Sequence, residues 1–295
     1  MIGNFLNESI DFRGKGDLSN DGLPVSSLID FLQKNFDAVT RGKSKKEIAF
    51  ATKLIGNVDR VADHLYLATF RSIKQRISCV YGVVKDTKNK RIILVFRGSE
   101  TGNDWYTNIQ IILKEMHTPK LIREKMEKPL NESVSVHQGF YNYLFNNSQI
   151  EEVDGIQRYE QIRKDVKPLL KGEEGYSLYV TGHSLGGALA TLMSFKLAGS
   201  NKEWIPRPVT AVTYASPYTG NDGYRKAFGQ CEKDGLLRHL RIALPEDLIT
   251  EIPALGVGRL NFLTKHVGIN LQLKKHKSYS IQHHTLSNFG TALRQ

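Results

Sequence analysis

A serine between glycines is the feature of this sequence best suited to covalent chemistry. Residues 182–187 read Gly-His-Ser-Leu-Gly-Gly, which places Ser184 in the pattern G-x-S-x-G. The serine of that pattern stands on a strained turn, so the residues two before and two after it must be small. Residues 176–181 are typical of a buried strand, and residues 185–198 of a helix. Ser184 is therefore a candidate nucleophile, because backbone N–H groups at the start of a helix can face a developing negative charge.

Three further segments accompany this motif in a fixed order along the chain. Residues 95–99 read Val-Phe-Arg-Gly-Ser and precede Asp104-Trp105, residues 136–140 read Val-His-Gln-Gly-Phe, and residues 214–221 read Tyr-Ala-Ser-Pro-Tyr-Thr-Gly-Asn. Together with residues 181–187, they resemble the class 3, fungal-lipase-like family of α/β hydrolases over roughly residues 80–290. The resemblance implies a serine carboxylester hydrolase that acts on acylglycerols, phospholipids or galactolipids through an acyl-enzyme on Ser184.

The resemblance also implies an oxyanion hole. Ser99 would contribute its backbone N–H and hydroxyl, and Leu185 would contribute its backbone N–H. Donors placed in this way stabilise charge that appears only in the transition state. Judged from the residues alone, Ser99 also fits a cap at the end of a strand.

A nucleophilic serine of this fold needs a carboxylate and a histidine later in the chain, in the order Ser, Asp, His. The carboxylate is expected in a loop after a later strand, and residues 245–249 follow a predicted strand at 237–243. Asp247 is the predicted acid, with Glu246 as the next choice and Asp222 as the third. The family commonly has a proline three residues after the acid, whereas this chain has threonine at position 250.

The C-terminal stretch supplies three candidates for the base. His284 begins a segment that resembles the family's His-x-Leu-x-x-aromatic helix start, so it is the predicted base, with His283 as the alternative. His266 lies in a Lys-His-Val-Gly segment that resembles a non-catalytic family motif. His183, next to the nucleophile, is expected to point away from the reaction and to pack.

The stretch between Trp105 and residue 129 combines apolar and basic side chains. The resemblance implies a lid within residues 103–135, and Trp105, Tyr106 and Ile109 are its candidate substrate contacts, with Met116 on the same apolar face. Basic residues flank this face, at Lys120, Arg123, Lys125 and Lys128, and would suit an anionic lipid surface. The same pattern also fits an ordinary surface helix.

Residue periodicity predicts how these segments are positioned. Two N-terminal helices are expected within residues 1–70, the second opening with the capping box at 44–47 and carrying an apolar stripe that extends to Leu65. An antiparallel hairpin at a sheet edge is predicted over 77–84 and 91–96. Strands and helices then alternate at 149–171, 176–181, 185–198, 209–214, 224–231 and 237–243. This alternation predicts one α/β-hydrolase domain over 1–295, with a mostly parallel sheet and helices on both faces.

The charge balance limits the choice of partners. Lys and Arg number 41 and Asp and Glu 30, an excess of 41 − 30 = 11 that favours anionic surfaces such as a membrane or a lipid droplet. The basic clusters at 41–46 and 274–277 have few aromatic neighbours, so nucleic acid is not an expected partner. No oligomeric state is predicted.

The sequence lacks recognisable motifs for secretion, for membrane spanning and for metal binding. Residues 1–22 do not resemble a secretory signal and no apolar run is long enough to span a bilayer, so a cytoplasmic or peripheral membrane location is expected, with secretion left open. Neither H-E-x-x-H nor Cys-x-x-Cys occurs, so no metal or cofactor is expected. Acyl transfer by the same residues and a non-catalytic, lipase-like interaction protein are the alternative functions.

Overall fold

Alternating strands and helices make up most of the structure, a computed structural model that describes residues 10–11, 21–71, 79–98, 112–125, 133–145, 157–245, 247–251, 266–273 and 284. The helices are α1 (Val25–Lys34), α2 (Phe36–Thr40), α3 (Lys45–Asp59), α4 (Lys120–Lys125), α5 (Gln138–Phe145), α6 (Arg158–Leu170), α7 (Leu185–Ala198) and α8 (Asp222–Lys233). The strands are β1 (Ile10–Asp11), β2 (Leu23–Pro24), β3 (Leu65–Arg71), β4 (Tyr81–Asp86), β5 (Arg91–Phe96), β6 (Leu113–Glu115), β7 (Ser135–His137), β8 (Ser177–His183), β9 (Val209–Tyr214), β10 (Leu237–Ala243) and β11 (Ile269–Gln272).

Nine of the described strands form one sheet in the order β1-β3-β4-β5-β8-β9-β10-β11, with β2 also paired to β3. The pairs from β3 to β5 are antiparallel, and those from β5 to β11 are parallel. Parallel neighbours need crossover connections, which α7 supplies between β8 and β9 and α8 between β9 and β10. The carboxyl ends of the parallel strands therefore meet at one edge, where ligands bind in open α/β sheets.

Helix α7 is the central packing element of the fold. Each of its residues except Lys196 is buried, because the helix lies against β8 and β9 on one side and α5 on the other. An apolar surface all round a helix is typical of a helix enclosed in a core. The N-terminal end of α7, where Ser184 lies, is therefore held by packing on all sides.

The prediction of a helical segment over 1–70 is wrong in part. Helix α3 ends at Asp59, and Leu65, which the apolar stripe placed on a helix, begins β3 in the main sheet. Strand β2 also joins this sheet. A spacing of three residues between apolar positions, as from Ala62 to Leu65, continues a helical pattern, but β3 gains its backbone hydrogen bonds from β4.

The hairpin of β4 and β5 is present, and its predicted place at a sheet edge is wrong. Strand β3 pairs with β4 along its length, so both strands of the hairpin lie inside the sheet. The predicted edge position was wrong because the residue periodicity did not reveal β3, which pairs with the outer side of β4.

The described part of the predicted lid is anchored to the body of the protein. Strand β6 pairs with β7, and Met116 and Ile122 are buried in the main core at 3% and 0% exposure. Met116 therefore does not belong to an exposed apolar lid face, because it fills the core beside Val134. Residues 103–111 and 126–132 of the predicted lid lie outside the described residues.

The helices and the two cysteines give two further observations. Within the described ranges, every helix is too short or too polar to cross a membrane. Cys79 and Cys231 are buried and do not form a disulfide, and burial raises the pKa of each thiol to about 12.

Candidate active site

The backbone of Ser184 adopts a strained conformation between β8 and α7. Its φ is 59° and its ψ is −126°, in a region that side chains other than glycine rarely occupy. Hydrogen bonds hold the turn: the Ser184 N–H donates to the Tyr214 carbonyl at 3.0 Å, and the Gly187 N–H donates to the Ser184 carbonyl at 2.9 Å. The turn places Ser184 at the carboxyl end of β8 and at the first turn of α7.

Glycines are required around this turn because other backbone segments lie against them. A Cβ at Gly182 would be 2.3 Å from the Gly186 carbonyl, and one at Gly186 would be 2.4 Å from the Phe96 carbonyl. A Cβ at Gly187 would be 3.0 Å from the Cβ of Ser216. The spacing expected from the sequence thus has a direct steric cause.

The end of β5 lies beside Ser184. A Cβ at Gly98 would be 2.9 Å from the His183 carbonyl and 3.5 Å from the Cβ of Ser184. Residue 99, the proposed oxyanion donor, follows directly in the chain, and it lies outside the described residues together with Trp105, Tyr106 and Ile109. Leu185 is the first residue of α7, where the backbone N–H has no partner within the helix.

The motif segments at 136–140 and 214–221 meet next to this turn. The side chain of Asn221 caps α8 by accepting from the Tyr224 N–H, and the same oxygen accepts from the Ser135 N–H at 3.0 Å. Its amide nitrogen donates to the Ser133 carbonyl at 2.8 Å. Asn221 therefore joins the start of α8 to β7, so that the two motif segments lie side by side.

Asp247 is fully buried and uses both carboxylate oxygens. Oδ1 accepts from the Ile249 N–H at 3.0 Å, and Oδ2 lies 2.8 Å from Nδ1 of His284. Thr250 stands where the family commonly has proline, and its hydroxyl donates to the Asp247 carbonyl at 2.7 Å. A side-chain hydrogen bond thus closes the turn that a proline would otherwise stiffen.

The arrangement at His284 is suited to a base. Because the carboxylate of Asp247 accepts, Nδ1 of His284 carries the proton in the neutral ring, and Nε2 has a lone pair. Nε2 is buried, and it has no hydrogen-bond partner among the described residues. Ser184 is one of those residues, so the two side chains are not hydrogen-bonded in this structure. Catalytic hydrogen bonds are often long without substrate and shorten in the complex.

The alternative acids and bases are placed differently. Asp222 forms ion pairs of 2.7 Å with Arg225 and Lys226 on its own helix. His266 stacks on the ring of Tyr218, with a centroid distance of 3.9 Å, and burial lowers its pKa to about 2. Glu246 and His283 lie outside the described residues.

His183 and Arg241 were not singled out for the site from the sequence. His183 contacts a candidate site residue, and Arg241 bonds to the neighbouring motif segment at Ser216. The ring of His183, expected only to pack, contacts His284. Arg241 is buried on β10 and donates to the Ser216 carbonyl and to Asn270 Oδ1. Burial lowers the pKa of Arg241 to about 10, opposed by the negative charges of Glu251 and Asp247 and by Tyr218. The sequence signal that could have identified Arg241 was a charged residue at an inward-facing position of the predicted strand 237–243.

Comparison with known proteins gives a family and two groups of relatives. Residues 93–257 match the profile of the family described as Lipase (class 3). The chloroplastic galactolipase DONGLE of Arabidopsis thaliana is 33% identical over 178 residues, covering 58% of this chain and 35% of that protein. Phospholipase A1-II 3 of Oryza sativa subsp. indica is 29% identical over 166 residues, covering 53% and 38%. The chain spans little more than a third of the length of these relatives.

Solved structures match the fold over more of the chain. The triacylglyceride lipase of Rhizomucor miehei superposes with a TM-score of 0.54 at 19% identity, covering 72% of this chain and 67% of that one. Lipase II from Rhizopus niveus gives a TM-score of 0.54 at 22% identity, covering 86% and 83%. These similarities confirm the predicted α/β-hydrolase fold with its mostly parallel sheet.

Proposed function

The chain belongs to the class 3 lipase family, and on that premise we propose that it hydrolyses carboxylic esters of lipids through an acyl-enzyme on Ser184. The observation that carries the proposal is the 2.8 Å contact between Asp247 and His284, two residues that the sequence paired with this serine. The strained turn at Ser184 and the glycines packed around it support the same assignment.

The reaction follows from the protonation states of these groups. Nε2 of His284 takes the Ser184 proton as the serine oxygen attacks the ester carbonyl, and the backbone N–H groups of Ser99 and Leu185, with the Ser99 hydroxyl, stabilise the oxyanion. The imidazolium then gives its proton to the departing alcohol. Water, activated by the same ring, hydrolyses the acyl-enzyme and restores Ser184. Asp247 keeps the ring in the productive tautomer and stabilises its positive charge.

The relatives and the charge of the chain both favour a particular class of substrate. The names galactolipase and phospholipase A1 belong to relatives that this chain covers only in part, and they favour acyl lipids with polar head groups as substrates. The net charge of +11 favours an anionic surface, with Trp105, Tyr106 and Ile109 as proposed acyl contacts. Vesicles of anionic phosphatidylglycerol and of zwitterionic phosphatidylcholine with the same acyl chains test the preference for an anionic surface. Fatty acid should be released faster from phosphatidylglycerol. Equal rates on both would contradict the preference for an anionic surface.

Labelling with a fluorophosphonate tests the nucleophile. The native protein should be labelled and should release fatty acid, whereas Ser184→Ala should do neither. Ser194→Ala is the matched control, because Ser194 lies on the same helix α7 and its hydroxyl donates within that helix, to the Thr191 carbonyl. Labelling that survives in Ser184→Ala would overturn the assignment, and an unlabelled native protein would favour a non-catalytic role. Product analysis with added alcohol separates hydrolysis from acyl transfer.

A further inference from the structure

A histidine outside the proposed triad contacts the main chain of the proposed base. Nε2 of His183 lies 2.7 Å from the His284 carbonyl oxygen, and the two rings have centroids 4.7 Å apart at an interplanar angle of 38°. A carbonyl oxygen only accepts, so Nε2 of His183 carries a proton and donates it. The contact joins residues that are 101 positions apart in the chain.

His183 lies at the end of a strand that is paired on both sides within the sheet. It is the last residue of β8, it pairs with Tyr214 of β9, and it directly precedes Ser184. The carbonyl of the proposed base is therefore fixed relative to the turn that carries the nucleophile. Asp247 fixes the other side of His284 through Nδ1, so the residue is held at its backbone, at one ring nitrogen and against one ring face.

The charge of His183 also suits this role. Burial, with a smaller contribution from His284, lowers the pKa of His183 to about 4. The ring is therefore neutral near pH 7, and it does not oppose the imidazolium that forms on His284 when the serine proton is transferred. A permanently charged side chain in this position would oppose that imidazolium.

We propose that His183 is a positioning residue, which holds the backbone of His284 so that its Nε2 reaches Ser184. This inference rests on the proposed function, since it takes His284 as the base. Misplacing a catalytic group by about 1 Å costs on the order of 100-fold in rate, without an equal effect on substrate binding. The role goes beyond the packing that the sequence indicated.

Two substitutions separate the hydrogen bond from the ring. His183→Phe keeps an aromatic ring and removes the donor, and kcat is expected to fall about 10-fold to 100-fold with KM nearly unchanged. His183→Gln keeps an N–H at a similar distance and is expected to recover kcat to within a few-fold. His239→Gln is the control for a changed buried histidine, because His239 bonds to Thr213 and is not part of the site. It is expected to retain kcat.

A second measurement does not depend on turnover. The downfield proton resonance of a histidine Nδ1–H bonded to a carboxylate should be present in the native protein, and His284→Ala assigns it. It should shift or broaden in His183→Phe and be retained in His183→Gln. Native kcat and an unchanged resonance in His183→Phe would overturn the inference. A native protein without esterase activity would refute the proposed function, while the resonance would still decide whether His183 holds the ring.

Discussion

At the scale of single residues, Gly186 leaves no space for a methyl group. A Cβ there would lie 2.4 Å from the Phe96 carbonyl oxygen and 2.9 Å from that of Arg97, both backbone atoms that cannot move aside. Gly186→Ala is expected to lower the free energy of unfolding by about 1–3 kcal/mol and to reduce fluorophosphonate labelling. Urea denaturation and the labelling rate measure the two effects.

Gly229→Ala is the matched control for this substitution. A Cβ at Gly229 would meet nothing within 4 Å, and the residue lies inside helix α8. Alanine there should be neutral or stabilising by up to about 1 kcal/mol, with unchanged labelling. Equal stability of the two variants would contradict the packing described around the turn.

Asp247→Asn tests the proposed acid without removing the side chain. An amide nitrogen can donate to Nδ1 of His284 and so favours the wrong tautomer, for which a loss in kcat of about 10⁴-fold is expected. Asp222→Asn, at the first residue of α8, should leave kcat unchanged because Asp222 pairs with Arg225 and Lys226 on that helix. Ester hydrolysis assays of both variants give the comparison. Wild-type kcat in Asp247→Asn would mean that another carboxylate is the acid of the triad, with Glu246 as the first alternative.

The sequence indicated the candidate site residues that belong to local motifs and missed a contact between residues that are distant in the chain. Ser184 lies in a pattern of adjacent residues, and Asp247 follows a recognisable strand, so both could be proposed without coordinates. The contact of His183 with His284 could not be proposed, because its partner is a backbone carbonyl 101 residues away. A backbone partner of this kind leaves no residue type in the sequence to mark it.

At the scale of elements, the parallel half of the sheet was predictable and the N-terminal side was not. The predicted bounds of α7, β9 and β10 agree with the structure. Helix α7 is a mostly apolar run and β9 is rich in β-branched residues, whereas β10 mixes apolar with charged or polar residues. Strand β3 was missed because its first residue continues the apolar spacing of the preceding helix. Pairing with β4 decides its conformation, and that pairing is a property of the tertiary structure.

One buried carboxylate ties a helix to the antiparallel half of the sheet. Asp165 of α6 is 3% exposed and accepts two hydrogen bonds from Arg71 of β3, at 3.0 and 2.9 Å, and one from the Tyr81 hydroxyl of β4 at 2.7 Å. Asp165→Ala is expected to lower the free energy of unfolding by about 3–5 kcal/mol, because it removes the carboxylate partner of the Arg71 guanidinium. Urea denaturation at pH 7 measures the loss.

Glu160→Ala is the control on the same helix. Glu160 forms an ion pair with Arg163, and its side chain is 44% exposed, so its removal should cost at most about 1 kcal/mol. A similar loss for both variants would show that helix α6 is not held to the sheet through Asp165.

At the scale of the whole molecule, three largely buried histidines make stability depend on pH. Burial lowers the pKa of His183 to about 4, of His239 to about 3 and of His266 to about 2. In the unfolded chain each would titrate near its ordinary value of about 6.5. Between about pH 6 and pH 4, the unfolded state therefore binds more protons than the folded state, and stability falls as the pH falls.

The size of this dependence follows from the number of protons. Each histidine that is charged only in the unfolded state contributes about 1.4 kcal/mol per pH unit below its unfolded pKa, so three contribute about 4 kcal/mol per unit. Since a domain is stable by only about 5–15 kcal/mol, the protein is expected to unfold within one to a few pH units below pH 6. Urea denaturation at pH 7, 6 and 5 measures the slope.

His239→Gln assigns one part of that slope to one residue. His239 is a buried residue of β10, and its Nε2 lies 2.9 Å from the hydroxyl of Thr213 on β9, a contact that a glutamine amide can replace. The variant is expected to be less stable than the native protein at pH 7 because it loses aromatic packing against Phe228. Its stability should nevertheless fall by about 1.4 kcal/mol less per pH unit between pH 6 and pH 5, because glutamine takes up no proton on unfolding. An identical slope in the two proteins would mean that His239 takes up no additional proton on unfolding, and the histidine part of the acid sensitivity would then have to come from His183 and His266.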